Sequence, residues 1–89
     1  MLLVPRSGTI LGGTPVQVNG SFASEPNDIK CVFDTEEVEG KYYPDQGQFV
    51  CVTPRFQKTG RVQFTLTFTS KSGENQTHSS IFSVGTFIL

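Results

Sequence analysis

The segment Arg61-Val62-Gln63-Phe64-Thr65-Leu66-Thr67-Phe68-Thr69 alternates without a break between apolar and polar side chains. With a repeat of two, Val62, Phe64, Leu66 and Phe68 share one face and Gln63, Thr65, Thr67 and Thr69 the other. That is the pattern of a strand with one side on a core and the other in water. A helix brings like side chains round about every 3.6 residues and has no use for it. One such strand constrains the whole chain, because its apolar face must be covered by a second layer. At 89 residues there is room for one core, and residues 1–89 read as a single domain.

Further segments repeat the pattern. Thr14–Gly20 places Val16 and Val18 inward and Gln17 and Asn19 outward, with Pro15 near the start, where a missing N–H does least harm. Ile29–Phe33 puts Ile29, Cys31 and Phe33 on one face. Gln48–Thr53, ended by Pro54, is apolar on both faces at its centre and is expected to be well covered. Ser80–Val84 places Phe82 and Val84 inward, and Leu2–Val4 and Val38–Tyr43 are weaker strand candidates. Between them lie turn residues: Ser7-Gly8 and Gly12-Gly13 break the chain, Asp45-Gln46-Gly47 forms a turn, and Ser70–Asn75 reads as an exposed hairpin loop. Six or seven short strands at regular spacing argue for an all-β sandwich.

Composition excludes several functions. A net charge of −1, with the seven basic residues scattered along the chain, lacks the footprint of a nucleic-acid binder. No apolar run reaches the ~18–20 residues that span a bilayer, so no membrane insertion is expected, and the apolar start Met1–Val4 is too short for a signal-peptide core. Targeting signals are therefore expected elsewhere in a longer protein. His78 is the one histidine, and a lone His beside a loop reads as a surface residue. Neither a zinc site nor a Ser-His-Asp arrangement has its parts, and no cofactor and no enzymatic activity are expected. Asp34, Glu36, Glu37 and Glu39 lack the spacing of a calcium loop and read as a solvated hairpin tip. Of the adjacent Tyr42 and Tyr43, one must point inward, so at most one is exposed, and an interface role for it is the less favoured reading. The two cysteines, Cys31 and Cys51, suit either one disulfide or two buried thiols.

The ordered punctuation carries a resemblance. Val4-Pro5-Arg6-Ser7-Gly8 followed by Gly12-Gly13-Thr14-Pro15-Val16-Gln17-Val18-Asn19-Gly20 resembles the opening of the IPT/TIG family. Cys31-Val32-Phe33, Cys51-Val52-Thr53-Pro54, Gly60-Arg61-Val62 and Phe82-Ser83-Val84 are similar to its later segments, in the same order. The resemblance implies an immunoglobulin-like Greek-key β-sandwich of about seven short strands. It also implies that Cys31 and Cys51 pair, as cysteines at these positions do in plexin-like and growth-factor-receptor-like members; two free thiols in a cytosolic protein remain the alternative.

Two N-glycosylation patterns occur, Asn19-Gly20-Ser21 and Asn75-Gln76-Thr77. Asn75 falls in the expected hairpin loop, and Asn19 at an outward strand end, where Asn19-Gly20 also reads as a turn dipeptide. With the cysteine pair, these patterns favour an extracellular or cell-surface setting. The function expected is a non-catalytic interaction or spacer module of a larger multidomain protein, its partners being flanking domains or a receptor or ligand. The alternative is the intracellular dimerisation module of a Rel-like transcription factor. An accessory domain of a polysaccharide-acting enzyme is disfavoured by the absence of Trp.

Overall fold

The structure, a computed structural model, describes residues 1–20 and 26–86. Its regular elements are all strands: β1 (Leu2–Val4), β2 (Ser7–Thr9), β3 (Pro15–Asn19), β4 (Asn27–Phe33), β5 (Glu36–Tyr43), β6 (Gln48–Val52), β7 (Gly60–Thr69) and β8 (Asn75–Gly85). Where the sequence alternates, the structure follows it side chain by side chain. Val62, Phe64, Leu66 and Phe68 are buried along β7, and Gln63, Thr65 and Thr67 lie on the wetter face. Pro15 is the first residue of β3, where the ladder needs nothing from it.

The strands form one ladder in the order β1-β3-β6-β5-β4-β7-β8-β2. It curls strongly, so that its two halves face each other as an immunoglobulin-like sandwich. The turn from one half to the other happens within β5. Its residues Glu36–Glu39 pair with β4, and its residues Gly40–Tyr43 pair with β6. The opposite side is made in the same way by the N-terminal segment. There β1 runs antiparallel to β3 and β2 runs parallel to β8, with Pro5 and Arg6 between them.

Two aromatic clusters fill the space between the halves. At one end Phe33 meets Phe56, Phe64 and Phe82 edge-on, with ring centroids 5.8, 5.1 and 5.3 Å away. At the other, Phe49 packs on Tyr42 at 5.1 Å and on Phe68 at 5.3 Å. Val16, Val18, Leu66, Cys31 and Cys51 are buried with them. The loop from Ile10 to Thr14 is laid against Thr53–Phe56: Gly13 N–H donates to the Thr53 carbonyl, Phe56 N–H to the Ile10 carbonyl, and Thr14 N–H to Thr53 Oγ1. Gly12 is required there. Its φ is +79°, and a Cβ would lie 2.5 Å from the Pro54 carbonyl oxygen.

Several expectations are corrected. Ser7-Gly8 is no break but part of β2. The last strand begins at Asn75, not Ser80, so β7 and β8 form a long hairpin. Asn75 therefore opens β8, and the connecting loop is Ser70–Glu74. Of the acidic run, Asp34 alone sits in the tight turn; Glu36, Glu37 and Glu39 lie along β5. The Asp34 carboxylate accepts from Gln63 N–H at 2.8 Å, and Asp34 N–H donates back to the Gln63 carbonyl, which fastens the turn to β7.

Phe64 has no exposed surface, so Phe64→Ala is expected to lower the unfolding free energy by ~3–5 kcal/mol in urea denaturation. Gln63→Ala, one residue away on the wet face, should stay within ~0.5 kcal/mol of the parent. Comparable losses at the two positions would contradict this register.

Candidate interaction surface

Cys31 and Cys51 are joined in a disulfide, with Cα atoms 6.4 Å apart. They stand on β4 and β6, which are not neighbours: β5 lies between them in the ladder. The register explains how they meet. Cys31 is opposite Val38 and Cys51 is opposite Gly40, so the bond reaches across β5 where that strand leaves one half for the other. A side chain at this point would obstruct it. A Cβ on Gly40 would lie 2.7 Å from Ile29 Cγ2 and 3.3 Å from each cysteine sulfur.

The disulfide fixes the half made by β1, β3, β6 and the end of β5, whose outer face is unlike the other. Across this face run Leu2, Asn19, Gln48 and Tyr43, then Val4, Gln17, Val50 and Lys41, then Pro15 and Val52. Leu2, Val4, Tyr43 and Val52 are each more than two-fifths exposed, and Lys41 is the one charged residue in those three rows. Val50 and Val52 were expected to be covered; Val50 is half-buried, and Val52 is 51% exposed. The outer face of β4, β7 and β8 is more polar, with half-buried Val32 and exposed Ile81 as its apolar side chains. Lys30 and Thr67 are paired there with Thr77, and Val32 and Thr65 with Ser79. An exposed ion pair between Lys30 and Glu37 at 4.0 Å borders it and adds little stability.

The IPT/TIG domain family matches residues 2–83. The chain belongs to that family. Over 65 residues, 72% of its length, it is 43% identical to "Protein mesh" of Bombyx mori, and it spans 4% of that protein.

The remaining candidates of this IPT/TIG domain are not brought together into a reactive centre. Among the described residues no three His, Cys, Asp or Glu side chains are placed to hold a metal ion. His78 is not the surface residue expected: it is half-buried and stacks on Phe68, with ring centroids 6.0 Å apart. Tyr42 points inward and Tyr43 outward, as adjacent strand residues must. A groove beside the Asp34–Thr35 turn has Phe33, Phe56 and Val62 in its lining and Asp34, Glu36 and Lys58 around it, with neither histidine nor cysteine. Asn75 is exposed. Asn19 is half-buried, and Ser21 of its sequon lies outside the described residues. Sequence reasoning missed Phe56 and the exposed valine face; the signal for the latter was the doubly apolar centre of β6.

Two substitutions separate the bond from the crossing it spans. Cys51→Ala should cost ~2–5 kcal/mol, and added reductant should then change nothing further. Gly40→Ala should cost ~1–3 kcal/mol through crowding against Ile29, both with and without reductant. Thermal or urea unfolding of the variants under oxidising and reducing conditions checks both.

Proposed function

We propose that this chain is a non-catalytic spacer and interaction module within a larger cell-surface or secreted protein. It holds a neighbouring domain in a fixed orientation through the outer face of β1, β3, β6 and β5. The observation that carries this reading is that face: exposed apolar side chains on a sheet locked from beneath by Cys31–Cys51, with Lys41 as its charge. Exposed apolar side chains gathered on one sheet face, here interleaved with Asn19, Gln17 and Gln48, mark candidate contact sites. A disulfide of this kind supports an oxidising, extracellular setting and weighs against the intracellular dimerisation alternative, which fits free thiols. A neighbouring domain as the occupant is supported by the small share, 4%, that the chain makes up of its silkworm relative.

The test places charge on the face without entering the core. Val52→Glu and Tyr43→Glu are expected to leave the module's own stability within ~0.5 kcal/mol. In a fragment containing the flanking domains, the same changes should increase the radius of gyration measured by small-angle scattering. Ser79→Glu, on the opposite face, should not. Identical scattering from all three variants would count against this surface.

A further inference from the structure

We propose that Asn75 is a site of N-linked glycosylation and that Asn19 is not, so that the two outer faces of the sandwich are divided between glycan and protein. The inference rests on the extracellular reading above and adds to it a modification and its location.

Both asparagines satisfy the three-residue pattern, and the fold treats them differently. Asn75 opens β8 and is exposed, and Thr77, two residues on, is exposed on the same side of the strand. At that end β8 has β7 as its one strand neighbour among the described residues, since β2 pairs with it only over Ser83–Gly85. The contact Asn75 does make engages its amide oxygen: Thr69 Oγ1 donates to Asn75 Oδ1 at 3.4 Å. The nitrogen Nδ2, the atom a glycan is attached to, is left out of that contact. The surrounding groove is lined by Asp28, Lys30, Thr67, Thr69 and Thr77, with Phe68 buried beneath, a polar surface over which a sugar can lie while covering little apolar area.

Asn19 stands inside a four-strand row, between Leu2 of β1 and Gln48 of β6, with Tyr43 of β5 beyond. It is half-buried. A glycan there would rise through the apolar face and cover Leu2 and Tyr43, the side chains that face exposes. A modified Asn19 and a docked face exclude each other, whereas a modified Asn75 is compatible with both fold and contact.

In the reaction, the Asn75 amide nitrogen attacks the anomeric carbon of a lipid-pyrophosphate-linked oligosaccharide. The new N–C bond forms as the bond from that carbon to the pyrophosphate oxygen breaks. The lipid pyrophosphate leaves, and the amide gives up one proton.

The test is expression of the full-length parent protein in eukaryotic cells, followed by glycosidase treatment and peptide mapping. Enzymatic release of the glycan converts the modified asparagine to aspartate, which marks the site. Aspartate is expected at position 75 and asparagine at 19. Asn75→Gln and Thr77→Ala should each remove the same glycan, Thr77→Ser should retain it, and Asn19→Gln should leave the glycoform unchanged. Secreted protein with an intact Cys31–Cys51 bond and an unmodified Asn75, or with Asn19 modified, overturns this proposal and leaves the extracellular reading standing. Retention in the cytosol with both thiols free overturns the two together.

Discussion

The bond between Cys31 and Cys51 joins the two strands that flank β5, and β5 is the strand that belongs to both halves of the sandwich. Everything else in the core is arranged around that crossing. The aromatic cluster of Phe33, Phe56, Phe64 and Phe82 lies to one side, and that of Tyr42, Phe49 and Phe68 to the other. A chain of this size buries only a little over ~60% of the surface its unfolded form exposes, so hydrophobic packing alone leaves a thin margin. A covalent tie that spans a shared strand holds the halves in register as well as together. Its cost in sequence is one position, Gly40, where a methyl group would press on Ile29 and both sulfurs.

The same economy governs the edges. Sandwiches are vulnerable along their lateral strands, where unpaired backbone groups invite pairing with other chains. Here part of each side is turned by a strand that changes halves, β5 on one and the β1–β2 segment on the other, while residues 75–82 of β8 pair with β7 alone among the described residues. The terminal members of the ladder, β1 and β2, are three residues each, too short to serve as templates. The acidic residues Glu36, Glu37 and Glu39 sit on the part of β5 that borders the polar half, where charge discourages a further strand from adding.

Strands that alternate could be read from the sequence because one face of each is dry: the inward faces of β7, β3 and β4 follow from it, although β4 begins at Asn27, two residues before its alternation shows. The first half of β8 could not, since Asn75–Ser80 holds no apolar residue and its pairing follows from the length of β7 beside it. β2 is Ser-Gly-Thr, and three small residues carry no periodicity. Phe56 lies outside any strand, held by its N–H to the Ile10 carbonyl, so no pattern announced it. Val52 was misjudged for a different reason. An apolar residue on the second face of a strand can mean burial within the chain or readiness for a neighbour, and sequence alone does not separate them. That ambiguity is also why the exposed apolar face was the least legible feature: fold is written in the periodicity, whereas function does not follow from fold.

The parallel pairing of β2 with β8 has a mechanical consequence. Ser7, Gly8 and Thr9 run beside Ser83, Val84 and Gly85 in the same direction, and the patch is extended by Ser83 N–H to the Arg6 carbonyl and Ile10 N–H to the Gly85 carbonyl. Tension entering ahead of β2 and leaving after β8 pulls these strands in opposite directions along their own axes. The hydrogen bonds between them are then loaded together in shear rather than peeled apart one by one. Forced unfolding is governed by the rate of crossing its barrier, and a clamp that must fail all at once raises that barrier without adding to the core. A domain clamped this way meets stretching along this axis in shear rather than by peeling.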